Sequence, residues 1–372
     1  MRICIVYDCL FPYTVGGAER WYRNLALRLH EAGHEVTYLT LRQWEGELDD
    51  LAGIDVRIVG PRMALYTGPR RRVLPPLVFG AGVLLHLLRR GRRYDVVHTA
   101  SFPYFSLLAA AVARPLGRFR VVCDWHEVWS REYWVEYLGR AGGAIGFAVQ
   151  RACARVRQRA FCFSRLHAAR LREEGLRGEV TVLEGEYDGD LTPPQPNAAE
   201  PLVVFAGRHI PEKRAPAVAP AVALAAGDIP ALRGIVFGDG PEREAVLASL
   251  DGTPVEAPGF APAEEVHHAL RNALCMVLPS RREGYGMIVV EASALGTPSV
   301  VVREPDNAAT ELVEDGVNGV VAASASPADL AAAILRVHRA GHAMRASTCD
   351  WFAANARRLS LASSLEEVVG SY

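Results

Sequence analysis

A chain of 372 residues exceeds the usual size of one hydrophobic core, so two domains are expected. Half of the residues are apolar and 22% are charged, the balance of a soluble globular protein, and a net charge of -1 argues against nucleic acid as the main partner. The seven cysteines, Cys4, Cys9, Cys123, Cys153, Cys162, Cys275 and Cys349, contain no C-x-x-C pair, so no zinc site or redox motif is indicated and a reducing, cytosolic compartment fits.

"RICIVYD" (2–8) predicts a buried strand. Acid and turn residues follow it at once, with no small-residue cleavage site, so no secretory signal is expected. "AERWYRNLALRLHEAGH" (18–34) places Trp21, Leu25 and Leu29 at helical spacing and ends on Gly33, a natural C-cap. "EVTYLTL" (35–41) is the next strand. Strand, glycine-bearing loop, helix, strand opens a doubly wound α/β sheet. The apolar stretch "LPPLVFGAGVLLHLL" (74–88) is too short to span a bilayer and contains two prolines. Arg70, Arg71 and Arg72 precede it, and Arg89, Arg90, Arg92 and Arg93 follow. Two readings are open: an amphipathic segment lying on anionic lipid, or a core helix with solvated basic ends. "YDVVHTAS" (94–101) and "RVVCDWHEVW" (120–129) read as further parallel strands with polar ends.

"DGDLTPPQPNAAEP" (188–201) breaks the pattern and reads as a linker. The rhythm then restarts with strands in "PLVVFAGR" (201–208), "ALRGIVFGDGPER" (231–243), "ALCMVLPSRREG" (273–284) and "TPSVVVRE" (297–304), and a helix at 329–340. The expected organisation is an N-terminal Rossmann-like domain over 1–190, a C-terminal one over 191–345, and a helix at about 346–372 packing back on the first.

In such sheets ligands bind beyond the carboxyl ends of strands. Gly16 and Gly17 in "VGGAER" let backbone N–H groups approach a phosphate at a helix start, although a plain turn has the same sequence. Arg208 and Lys213 in "FAGRHIPEKR" suit a diphosphate clamp, the arginine as a planar fork and the lysine as a point charge. Gly238 lies in a glycine-rich turn that suits a nucleotide base. In "SRREGYGMIVVEASALGTPSV" (280–300) the Gly296-Thr297-Pro298 stop predicts a helix from Met287, despite the strand preference of Ile288, Val289 and Val290. Glu283 then precedes the helix, Glu291 lies inside it, and Gly284, Tyr285 and Gly286 present N–H groups at its positive end. Two carboxylates flanking a phosphate site can accept hydrogen bonds from a ligand's hydroxyls.

This stretch resembles the E-x7-E motif of retaining GT-B glycosyltransferases, and the chain is similar to glycosyltransferase family 4 through "GR…EK" (207–213), "GDGP" (238–241), "PSRREGYG…E" (279–291) and "ELVEDGVNG" (311–319). The resemblance implies two Rossmann-like domains facing a cleft, and a nucleotide-diphosphate sugar (UDP or GDP) as donor. It implies Glu283 on the donor sugar, Glu291 on the ribose, and Arg208 with Lys213 on the leaving diphosphate. It also places a histidine facing the donor sugar, matched by His126, with His98 as competitor. Asn307, Ala308 and Ala309 stand where relatives often have paired glycines, and their backbone remains a candidate donor to phosphate or sugar. Trp125, Glu127, Trp129, Tyr133 and Trp134, with Tyr137, form a candidate acceptor groove for a saccharide, a lipid-linked saccharide or a natural product. "DGD" (188–190) lies in the linker, so no metal is expected there. The alternatives are a GT-B nucleotide-sugar epimerase and a non-catalytic sugar-nucleotide-binding partner subunit.

Overall fold

Residues 3–6 are buried on every side, which an extended segment can be only if both faces of its sheet are covered. A computed structural model describes residues 1–14, 16–46, 51, 53–67 and 70–372. The chain divides into two compact units, Met1–Leu183 with Ser364–Tyr372, and Glu184–Ser363.

The first unit runs β1 (Arg2–Val6), α1 (Gly17–Glu31), β2 (Glu35–Leu41), β3 (Asp55–Gly60), β4 (Tyr66–Thr67), β5 (Arg70–Arg71), α2 (Leu74–Arg90), β6 (Val96–Ala100), α3 (Phe105–Gly117), β7 (Arg120–Trp125), α4 (Arg131–Ala154), β8 (Arg157–Cys162), α5 (Arg165–Glu173) and β9 (Arg177–Val182). Its seven-stranded sheet is parallel, in the order β3-β2-β1-β6-β7-β8-β9. The strand order reverses between β1 and β6. Phe79, Val83 and Leu87 of α2 and Leu107 and Ala110 of α3 pack into its core. The arginine-flanked segment is thus a helix with one face in the core. Arg72, Arg89, Arg92 and Arg93 are exposed, and the side chains of Arg70 and Arg71 lie outside the described residues. Among the described residues, no helix is long and apolar enough to cross a membrane.

The second unit contains β10 (Leu202–Ala206), α6 (Val218–Ala225), β11 (Arg233–Phe237), α7 (Arg243–Ser249), β12 (Val255–Gly259), α8 (Ala263–Asn272), β13 (Cys275–Leu278), β14 (Arg282–Glu283), α9 (Met287–Ala294), β15 (Ser299–Val302), β16 (Asp306–Asn307), β17 (Gly319–Ala322) and α10 (Pro327–Leu359), and α11 (Leu361–Gly370) follows. Its parallel sheet is ordered β12-β11-β10-β13-β15-β17, with the reversal between β10 and β13. The doubly wound parallel architecture expected from the sequence is present in both units. The helix expected at 329–340 continues to Leu359 past a break at Gly341, whose φ is 53°.

Residues 346–363 stay with the second unit, and only Ser364–Tyr372 joins the first. The reason lies in α10, where Met344, Thr348, Cys349 and Phe352 are buried. Arg345, 2% exposed, has no carboxylate partner among the described residues and donates to the Ala273 carbonyl (2.7 Å), the Arg271 carbonyl and Asn197 Oδ1 (2.8 Å). It closes the carboxyl end of α8 and ties the 197 segment to it. Arg345→Leu would strip buried carbonyls of their donor. We expect a loss of about 2–4 kcal/mol, read as a fall of roughly 5–15 °C in the thermal midpoint of this unit.

Candidate active site

The two strand-order reversals are where loops diverge and open a crevice at the carboxyl edge of a sheet. In the second unit, β10 leads into Gly207, Arg208 and His209, and β13 leads into Ser280 and the 281–286 loop. A short 3-10 turn, Pro211–Lys213, brings Lys213 Nζ to 2.5 Å from Glu283 Oε1. Arg281 N donates to the Glu212 carbonyl at 2.8 Å, and Arg214 pairs with Glu304 at 2.5 Å. The 212–214 turn is therefore fastened onto the 281–283 strand. Glu283 is 7% exposed, and Lys213 supplies the countercharge that makes such burial tolerable. Arg208 is exposed, with no ion pair among the described residues.

β14 pairs with β16, setting Glu283 beside Asn307. Asn307 is 1% exposed and fully committed within this loop. Its amide donates to the Ser280 and Val302 carbonyls at 3.0 and 2.9 Å, its Oδ1 accepts from Ala309 N, and its own N–H donates to the Glu304 carbonyl. Asn307 thus holds the 305–309 loop and keeps no donor for a ligand, which corrects its assignment as a ligand-binding residue. Gly286 has φ 105°, and a Cβ there would lie 2.5 Å from the Ala309 Cβ. The alanine at 309 is accommodated because residue 286 has no side chain. Tyr285 serves the fold through its side chain: the buried hydroxyl donates to the Glu184 carbonyl at 2.6 Å, and burial pushes its pKa up. The main chain at 284–286 remains at the start of α9.

Glu291 lies in the middle of α9, half-buried. Tyr187 stands beside it, and burial first, then the Glu291 charge, raises its phenol pKa. No sequence spacing pointed to Tyr187. Gly238 and Gly240, with φ 120° and 150°, cross directly over the loop after β10. A Cβ at Gly238 would meet the Gly207 carbonyl oxygen at 1.9 Å, and one at Gly240 the His209 oxygen at 2.6 Å. His209 is wholly buried beneath this turn. Burial, with Arg243 next, lowers its pKa. Ser280 Oγ is buried with no hydrogen-bond partner among the described residues.

The other predicted residues belong to the first unit. Gly16 caps α1, but the Glu19 carboxylate folds against it, so close that a Cβ at Gly16 would be 2.3 Å from Glu19 Oε2. The helix's own acid stands at its positive end, so a phosphate at Gly16 and Gly17 would meet a like charge.

Beyond β7, His126 stacks on Phe163 with ring centroids 4.4 Å apart and planes 8° from parallel. Burial lowers its pKa to about 4 against the opposing pull of Asp124, so the imidazole is neutral at physiological pH. Asp124, wholly buried, accepts from Trp21 Nε1 at 2.6 Å, and its Oδ1 lies 2.8 Å from His98 Nε2, off the hydrogen-bond axis. His98 Nδ1 meets the Tyr372 hydroxyl. Burial alone would raise the Asp124 pKa, but His98, His126 and Trp21 together hold it below the usual carboxylate range. The signal for Asp124 was present in "DWH": residues two apart on a strand share a face.

The aromatic stretch divides in two. Trp125 is wholly buried, with its indole N–H on Gln158 at 2.9 Å, and Trp134 is 4% exposed, bonded to Gln150 at 3.1 Å. Both are core, which corrects their placement in an acceptor groove. Tyr133 is 5% exposed. Trp129 and Tyr137 remain half-exposed, and the Trp129 indole donates to Glu127 at 2.6 Å. Gln150, wholly buried, also accepts from Trp129 N and Tyr104 Oη, and so aligns this platform. Among the described residues, no cluster of three or more His, Cys, Asp or Glu could hold a metal ion.

The description "Glycosyltransferase Family 4" matches residues 15–185, and "Glycosyl transferases group 1" matches residues 200–340. A D-inositol 3-phosphate glycosyltransferase of Geodermatophilus obscurus is 34% identical over 189 residues, 46% of this chain and 38% of that protein. The chain spans about two fifths of the length of the first curated relatives it matches, 42% and 38%. Among solved structures, the sucrose-phosphate synthase of Thermosynechococcus elongatus superposes with a TM-score of 0.77 at 18% identity, covering 100% of this chain and 98% of that one. Anabaena HepE in complex with UDP-glucose gives 0.69 at 19% identity, covering 100% of both.

The depressed His126 pKa has a consequence for stability. Between the ordinary 6.5 and about 4 the unfolded chain takes up a proton that folded His126 refuses, so its contribution is lost as pH falls through that window. An NMR titration should place the His126 midpoint near about 4, and His126→Gln should flatten the acid limb of the stability curve.

Proposed function

The chain belongs to the GT-B glycosyltransferases, with a family 4 domain followed by a group 1 domain, and we propose that it moves a hexose-type sugar from a nucleotide-diphosphate donor to an acceptor hydroxyl, with retention and without metal. The observation that carries this reading is the contact between Lys213 and Glu283 at the β10–β13 reversal, with exposed Arg208 in the loop after β10.

In this reading the donor exchanges partners with the protein. The diphosphate takes Lys213 and Arg208, and the freed Glu283 accepts hydrogen bonds from the sugar hydroxyls. Glu291 takes the ribose hydroxyls from within α9, and the turn at Gly238 carries the base. The acceptor oxygen bonds to the anomeric carbon as the bond to diphosphate oxygen breaks, and the acceptor's proton leaves with the diphosphate. Arg208 and Lys213 offset the charge that develops there, the term that electrostatic catalysis depends on. His126, neutral, offers a hydrogen bond to the sugar. Trp129, Tyr137 and Glu127 form the proposed acceptor platform, because their exposed faces suit a sugar ring.

The UDP-glucose bound by HepE makes that the first donor to try, before GDP-sugars. The acceptor class is a saccharide, a lipid-linked saccharide or a natural product. Buried free thiols at all seven cysteines support a cytosolic setting.

Glu283→Gln keeps the side-chain shape and should lower transfer by about a hundredfold or more while the protein stays folded. An active variant would sink the assignment. Lys213→Ala should weaken UDP binding by about tenfold or more in calorimetry. Activity should persist in EDTA, and recovery only with Mg²⁺ would point instead to Asp188 and Asp190. Conversion of the donor to an epimer without any acceptor would mark an epimerase.

A further inference from the structure

The outer surface of α2 and α3 is apolar where a water-facing surface is normally polar. Along α2, Leu74, Leu77, Ala81, Leu85 and Leu88 recur three or four residues apart, and all are exposed. Val112 and Leu116 extend the surface on α3, which packs along α2. The four leucines of α2, with Val112 and Leu116, are each between 44% and 62% exposed. Single exposed leucines are ordinary, but a continuous stripe opposite Phe79, Val83 and Leu87 makes α2 apolar nearly all round.

Charge frames this surface. Residues 70–120 hold ten arginines and one acid, Asp95, in a chain whose net charge is -1. Arg72 stands before α2, Arg89, Arg92 and Arg93 at its end, and Arg118 after α3, all exposed. Arg92 Nε donates to the Leu116 carbonyl at 3.2 Å, which fixes the two helix ends together. Arg2, Arg92, Tyr94, Asp95, Gly117 and Arg118 line a pocket of about 400 Å³ there. The neighbouring acids are occupied, Asp95 by Arg2 at 2.9 Å and Asp55 by Arg57 at 2.7 Å.

We infer that the α2–α3 face lies on an anionic phospholipid bilayer, with the leucines in the acyl boundary and the arginines on lipid phosphates. Long basic side chains at the ends of an apolar stripe reach a headgroup layer while their stems stay in apolar surroundings. A second copy of the chain is a poorer occupant, because a two-fold contact would bring one arginine rim against another. The inference is independent of the transferase reading, and vesicle binding tests it without any sugar.

The test is flotation of the full chain with vesicles of phosphatidylcholine, and with vesicles in which a third of that lipid is phosphatidylglycerol. The protein should float with the anionic vesicles alone, and less so as salt rises. Arg89→Gln, Arg93→Gln and Arg118→Gln together should weaken binding by about fivefold per charge, about a hundredfold in all. Leu77→Ser with Leu85→Ser preserves the charge and should cost about tenfold or more. These exposed changes should leave circular dichroism and UDP affinity unaltered. Absence of flotation with anionic vesicles, or equal flotation of the variants, overturns the inference. So does a dimer that fails to float and dissociates on Leu85→Ser.

Discussion

A strand buried on both faces has nowhere but its ends to hold polar chemistry, and this constraint arranges both units. Each sheet is parallel and covered on two sides, so β1, β10 and β13 are almost wholly apolar along their lengths, while β6 holds His98 and Thr99 within it. Apart from His98, which sits within β6, the acids, cations and histidines of interest lie at or just past the carboxyl ends of such strands. The strand order reverses once in each sheet, and there the two flanking loops part. Arg208 and Lys213 come from one side of the second reversal and Glu283 from the other.

Burial of charge sets the second theme. Glu283 and Asp124 are both carboxylates withdrawn from water, and the protein satisfies them differently. Glu283 is paired with the partly exposed Lys213. Asp124 is enclosed by Trp21 and His98, with His126 close by, all from its own unit. The first arrangement suits exchange with a ligand, and the second suits permanence.

Much of this was legible in the sequence, for local reasons. The apolar runs gave the strands away, Gly33 and the stop at 296–298 marked helix ends, and α9 formed where predicted although Ile288, Val289 and Val290 favour strands. What was not legible depends on packing between distant segments. Lys213 and Glu283 are seventy residues apart, and nothing local says that they touch. The amide of Asn307 could have faced a ligand, but the carbonyls of Ser280 and Val302 consume it. Trp125 and Trp134 read as amphipathic among charged neighbours, yet Gln158 and Gln150 supply buried partners that let both indoles enter the core. Glu19 is an ordinary first-turn acid in the sequence, and only its fold-back onto Gly16 shows that it fills the anion position.

The chain leaves the first unit after Leu183 and re-enters it at Ser364. Between those points it completes an entire second sheet. Synthesis therefore delivers all seven strands of the first sheet early, but the Tyr372 hydroxyl that meets His98 only after the second unit is made. The first unit must wait, nearly complete, with the histidine beside Asp124 still short of a partner. The second unit, by contrast, is continuous in sequence, and its closure draws on no segment from outside it.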